Sequence, residues 1–165
     1  MIDTVAAILT PPGQGAVALL RVSGPGAFAV AQRVFRARSG AGVSGLRVRV
    51  SHAGRLMDAG EVVDEVLLTL FKGPASFTGE DVVEIGCHGG ELVTRRVFEL
   101  LLRSGARAAG PGEFSRRAYL NGKMDLTQVE AVMDLVLAQS DLAMKAAARQ
   151  LGGSLGQRIL ELQSQ

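Results

Sequence analysis

Hydrophobic positions come first in short runs of strand length, then in blocks at helical spacing. Residues 4–9 and 16–22 are apolar runs, the second with a share of β-branched side chains. Between them Thr10-Pro11-Pro12-Gly13-Gln14-Gly15 is a dense turn signal. The pattern predicts two strands joined by a tight loop. Ser23 and Gly24-Pro25-Gly26 then lead into a helix over 27–36, with Phe28, Ala31, Val34 and Phe35 on one face. Residues 39–45 are rich in Gly and Ser and read as a loop. Residues 46–51 alternate Leu46, Val48 and Val50 with Arg47 and Arg49, the period of a half-buried strand.

Two further strands are predicted over 65–71 and 81–87, linked by a Gly/Pro/Ser/Thr connection that also holds Phe77. Gly89-Gly90 opens a helix over 91–103, whose buried face is Val93, Val97, Leu100 and Leu101 and whose stop is Gly105. Residues 106–109 suit a short edge strand, Gly110-Pro111-Gly112 a hard turn, and 113–120 a short helix. Thr127 and Glu130 have the spacing of a capping box for a helix over 128–139. Ser140 and Asp141 open a last helix that Gly152-Gly153 interrupts. Strand and helix do not alternate cleanly, so the expected class is α+β: a mixed sheet with helices packed on it. The last helix has nothing after it to pack on, which points to the start of a helical domain.

Composition narrows the function. The 165 residues are 47% hydrophobic and 21% charged, ordinary for a globular chain. With six Phe, one Tyr and no Trp, the core is built from Val, Leu, Ala and Met. Eighteen basic and sixteen acidic residues nearly cancel, so the chain is no dedicated nucleic-acid sleeve. Its basic spots are modest: Arg33, Arg36 and Arg38, then Arg116 and Arg117. One cysteine, Cys87, allows no internal disulfide and suits a reducing compartment. Two His and one Cys make no zinc cluster. Neither a signal peptide nor an apolar run of about 18 residues is present, so a cytoplasmic location without a membrane span is expected.

Three places invite chemistry. Gly13-Gln14-Gly15 looks like a phosphate loop, but a strand follows it and the Lys-Ser/Thr is missing, so a tight hairpin is the better reading. Cys87 and His88 are adjacent on a strand and point to opposite faces. A buried cysteine and a structural histidine hydrogen bond are expected there. Arg21 and Glu84 each sit in an otherwise apolar strand, where such groups are paired or bound to a ligand. The residues alone leave both readings open: a structural Arg21–Glu84 ion pair, or a ligand site.

A set of motifs then carries a family resemblance. These are Thr-Pro-Pro-Gly-Gln-Gly at 10–15, Leu-Arg-Val-Ser-Gly at 20–24, Phe-Thr-Gly-Glu-Asp at 77–81 and Cys-His-Gly-Gly at 87–90. The longest is Pro-Gly-Glu-Phe-Ser-Arg-Arg-Ala-Tyr-Leu-Asn-Gly-Lys-Met-Asp-Leu at 111–126. In order and approximate spacing they resemble the N-terminal domain of the MnmE (also called TrmE) family of tRNA-modifying GTPases, over the whole chain.

The resemblance implies a tetrahydrofolate-binding, aminomethyltransferase-like fold over residues 1–122 that makes a homodimer. Residues 123–165 would be the first helices of the helical domain. It implies 5-formyltetrahydrofolate as ligand, with Arg21, Glu84 and Lys123 at the family's ligand positions. A carboxylate can accept the N–H fork of a pterin's pyrimidine edge, and cations suit the ligand's glutamate and carbonyl groups. The family continues into a GTPase domain using GTP, Mg and K; this chain holds no Gly-x-x-x-x-Gly-Lys-Ser/Thr. The parent would hydrolyse GTP and, with the FAD-dependent MnmG (GidA) protein, modify the wobble uridine of certain tRNAs (carboxymethylaminomethyl type). Two other readings stand beside it: a stand-alone folate-binding or aminomethyltransferase-like domain, and a structural dimerisation module.

Overall fold

The two N-terminal apolar runs fold back on each other because the Pro/Gly loop between them cannot extend either strand. In the computed structural model, which describes residues 3–153, they are β1 (Val5–Ile8) and β2 (Val17–Ser23), paired antiparallel. Helix α1 (Ala27–Val34) follows, then β3 (Phe35–Ala37), β4 (Ser51–Asp58), β5 (Glu61–Phe71) and β6 (Val82–His88). Helix α2 (Glu91–Arg103) and the edge strand β7 (Arg107–Ala108) complete the sheet region. The seven strands run in the order β3-β4-β5-β6-β2-β1-β7, antiparallel except for the parallel β1–β7 pair. The mixed sheet and its helices agree with the α+β class.

The chain divides into two compact units, Met1–Pro111 and Gly112–Gln165. In the first, period-two alternation gives the sheet one apolar face. Ala18, Leu20 and Val22 of β2, Val83, Ile85 and Cys87 of β6, and Val66, Leu68 and Leu70 of β5 join Val30, Val34, Val97 and Leu101 from α1 and α2 in one buried core. Each buried Val or Leu contributes about 1.5–3 kcal/mol. The intervening residues, Arg21, Glu84 and Leu67 among them, belong to the other face.

Three sequence expectations shift. The helix expected over 27–36 ends at Val34, because Phe35 turns extended (φ −96°, ψ 137°) and pairs with Leu56 as β3. Residues 46–50 are not a strand. Arg49 takes φ 60° in a turn, its N–H donating to Leu70 O at 2.7 Å, and pairing with β5 begins at Ser51. Strand β5 starts at Glu61, four residues before the expected 65, because it forms a hairpin with β4. Its two-residue turn is Ala59-Gly60, with φ 49° and 93°, the left-handed pair that matches strand twist.

The second unit contains α3 (Glu113–Leu120), α4 (Leu126–Leu137) and α5 (Asp141–Leu151). Gly112 caps α3 with φ 67°, a conformation suited to glycine. The capping box of α4 is made by Asp125 and Gln128 rather than Thr127 and Glu130, so the helix begins two residues before the expected 128. Thr127 instead donates its hydroxyl to Asp125 Oδ1 at 2.7 Å. Hydrogen bonds from Thr127 and then from the Gln128 N–H hold the Asp125 carboxyl below its ordinary 3.8. Ser140 caps α5 as expected, accepting from the Ala143 N–H at 3.2 Å. Any continuation of that helix past Gly153 lies outside the described residues. Among the described residues no helix is long and apolar enough to cross a membrane.

Candidate functional site

Register places the two charged strand residues together. Arg21 of β2 lies directly opposite Glu84 of β6. Its Nε and Nη2 donate to Glu84 Oε1 at 3.0 and 2.6 Å. The side chains are 15% and 22% exposed, so the pair is neither in bulk water nor in the core. The Phe77 ring, contributed by the β5–β6 connection, lies 4.7 Å from the Arg21 guanidinium carbon, a cation–π arrangement. The two hydrogen bonds that Arg21 makes to Glu84 both land on Oε1, and no hydrogen bond reaches Glu84 Oε2 among the described residues. The structural ion pair is therefore present, and one carboxylate oxygen stays open to a further donor.

The connection that supplies Phe77 is pinned from several sides. The buried Ser23 hydroxyl lies 2.7 Å from Thr78 Oγ1 and donates to Glu80 Oε2 at 2.7 Å. Asp81 accepts from Lys72 Nζ at 2.8 Å and from the Gly73 N–H at 3.0 Å. Ser76 donates to the Glu80 carbonyl at 2.6 Å. The polar residues of Phe-Thr-Gly-Glu-Asp thus fix the loop, and the aromatic one reaches the arginine. The sequence places Phe77 in this connection without assigning it a role; an aromatic alone in a polar loop was the available signal.

The Gly13-Gln14-Gly15 loop is a hairpin docked on the end of β6. Gly15 N–H donates to Gly89 O at 3.1 Å, and Gly89 N–H to Ala16 O at 3.2 Å. The Gly15 amide is thereby used by the fold rather than offered to a phosphate. A Cβ on Gly89 would stand 2.5 Å from Gly15 O and 2.9 Å from Val17 C, so only glycine permits the approach. Cys87 is buried, and burial, reinforced by the Asp64 carboxylate, pushes its thiol up from 9.0. His88 makes the structural contact expected of it: its N–H donates to Asp64 Oδ2 at 2.8 Å and its Nδ1 lies 2.6 Å from Asp64 Oδ1.

Lys123 belongs to the second unit. It lies in the turn between α3 and α4, outside any helix and exposed, with its N–H donating to Ala118 O at 2.8 Å. Gly122, with φ 67°, makes that turn. In α3, Arg117 is no surface charge: it is fully buried, and its Nη2 donates to Glu113 Oε1 at 2.9 Å. The structure brings Arg21 and Glu84 together and adds Phe77 to them.

The architecture is that of an α+β domain with a half-buried, ion-paired polar site on the face of the sheet opposite its core. Comparison with known proteins assigns the domain. The family model described as "GTP-binding protein TrmE N-terminus" matches residues 4–123, and the chain belongs to that family. It is 49% identical over 163 residues to the tRNA modification GTPase MnmE of Listeria innocua, covering 99% of this chain and 35% of that protein. The protein of the same name from Bacillus subtilis is 46% identical over 165 residues, covering 99% of this chain and 36% of its own length. That from Carboxydothermus hydrogenoformans is 47% identical over 161 residues, covering 96% and 35%. The chain thus spans about a third of the length of these relatives.

Proposed function

We propose that this chain is the folate-binding, dimer-forming N-terminal part of a tRNA modification GTPase. The single observation that carries the ligand reading is the state of Glu84. One of its oxygens is held by Arg21, the other makes no hydrogen bond among the described residues, and the side chain is 22% exposed. A pterin's pyrimidine edge is a row of N–H donors that such an oxygen accepts. The contact is then to Oε2, with Arg21 fixing the carboxylate through Oε1, rather than a fork closed over both oxygens.

5-Formyltetrahydrofolate supplies a one-carbon unit when bound, and this chain's residues hold and orient it. Glu84 takes the pterin edge, Arg21 and Phe77 set the Glu84 rotamer, and Lys123 offers a cation to the ligand's carbonyl and carboxylate groups. In the whole protein, GTP with Mg and K serves the GTPase domain. The FAD-dependent MnmG (GidA) protein is the partner in modifying the wobble uridine of tRNA, in the cytoplasm. Val136 of α4 and Leu142 of α5 are exposed, surface that a larger helical domain would cover.

The test is thermal unfolding with ligand. At about 100 times its Kd a ligand adds about 2.7 kcal/mol of stability. For a chain of this size that raises Tm by roughly 5–10 °C. 5-Formyltetrahydrofolate should give that rise and p-aminobenzoylglutamate, which lacks the pterin, should not. Absence of any rise at millimolar 5-formyltetrahydrofolate would leave the pair as a purely structural one.

A further inference from the structure

The face that carries Arg21 and Glu84 opens, toward the His88 end of β6, into a groove of about 720 Å³. Register sets its floor: Leu67 of β5 lies opposite Gly86 of β6, with Val17 of β2 at the end. Val17 is 64% and Leu67 55% exposed, so the floor is apolar and open. One side of the groove is lined by arginine. Arg36 lies opposite Arg55 across the β3–β4 pair, and Arg38 extends that line, its N–H donating to Ala53 O at 2.9 Å.

These three cations differ in what already holds them. The Arg55 Nε donates to Glu65 Oε1 at 3.1 Å. Arg36 donates only to the carbonyls of Gln32, Arg33 and Phe35 at the end of α1. The Arg38 guanidinium is exposed and has no carboxylate partner among the described residues. Among the described residues Glu65 is the one carboxylate lining the groove, so its wall is net positive.

Position decides what this wall is for. Gly86 is two residues along β6 from Glu84, about 7 Å, and β4 is two strands across from β6, about 10 Å. We propose that the groove binds the γ-linked glutamate chain of a polyglutamylated folate. The inference rests on the folate reading of Glu84. With the pterin edge on Glu84, the p-aminobenzoyl ring lies over the apolar floor and the carboxylates beyond it meet the arginines. Arg21 is committed to Glu84 and leaves that task to the wall. An RNA strand is the other polyanion such a wall attracts; the place of Gly86, in the groove's lining and two residues along β6 from Glu84 on the same sheet face, favours the glutamate chain.

The experiment is calorimetric titration of the whole chain with 5-formyltetrahydrofolate carrying one or three glutamates. Two added ion pairs at an exposed wall make the triglutamate about three- to thirtyfold tighter on the wild type, an advantage that shrinks with added salt. In Arg38→Ser/Arg55→Ser the two ligands bind alike. If the double variant does not fold, Arg38→Ser together with the salt series carries the test. Equal affinities on the wild type, or an advantage that survives in the variant, overturn the proposal. So does single-stranded RNA that binds the wild type more tightly than the triglutamate does and loses that affinity in the double variant. Binding of the monoglutamate without a triglutamate advantage removes only this inference, whereas no binding of either removes the folate reading as well.

Discussion

Gly89 and Gly90 are neighbours, and the structure assigns them opposite tolerances. A methyl on Gly89 would stand 2.5 Å from Gly15 O and 2.8 Å from Gly15 C, both backbone atoms that cannot rotate away. Relief requires the loop to lift off β6, breaking the hydrogen bonds Gly15 N–H to Gly89 O and Gly89 N–H to Ala16 O. Two lost backbone bonds cost about 1–3 kcal/mol, and overpacking adds about 1–3 kcal/mol. Gly89→Ala should therefore lose about 2–6 kcal/mol, a fall in Tm of roughly 4–24 °C. At Gly90 a Cβ meets nothing within 4 Å and φ is −73°. Gly90→Ala, a change at the N-cap of α2, should cost less than about 1 kcal/mol. Thermal unfolding of both, with limited proteolysis at the 10–15 loop, decides the matter. Equal stability of the two variants, or an unchanged cleavage rate in Gly89→Ala, would refute the close docking of loop on strand.

Other expectations follow from single features. Cys87, buried and with its thiol pushed up, should resist alkylation in the native chain at pH 8 and react fully in denaturant; fast native labelling contradicts its burial. The Asp125 carboxyl is held below 3.8 in the fold, so its capping of α4 is complete above that pH and is lost as pH falls through the lower folded value. Helical circular dichroism should drop in that acid window in wild type more than in Asp125→Ala. Ala59 occupies a left-handed turn position, so Ala59→Asn should stabilise the β4–β5 hairpin by about 0.5–1 kcal/mol, read as a raised Tm. The proposed dimer predicts sedimentation at twice the chain mass of 17.3 kDa at micromolar concentration, and a persistent monomer counts against it.

Legibility in the sequence followed the strength of local signals. Strands β2 and β6 and helix α2 were readable within a residue or so, because each is a long apolar run or a strong amphipathic stripe bounded by Gly or Ser. The Arg21–Glu84 pairing was legible as one of two readings, since two charges in apolar strands need partners. Strand β4 was not legible: Ser-His-Ala-Gly-Arg-Leu alternates poorly. Gly54 there is required because a Cβ would overlap the Phe35 ring, a tertiary constraint invisible locally. The better alternation at 46–50 misled, because Arg49 bonds the Leu70 carbonyl from a turn instead. Phe77 escaped assignment for a similar reason, since its role depends on a contact 56 positions away in sequence with Arg21.

The central claim, a folate held by Glu84 beside Arg21, is tested most directly by titrating 5-formyltetrahydrofolate calorimetrically into the wild type and into Glu84→Ala. Loss of one charge-assisted acceptor removes about 1.5–3 kcal/mol, so affinity should fall by about one to two orders of magnitude. The pair is partly exposed, so the variant's stability should fall by less than the roughly 3–5 kcal/mol of a fully buried pair, leaving it folded for the measurement. A destabilised but folded Glu84→Ala that binds the ligand as tightly as the wild type would contradict the account.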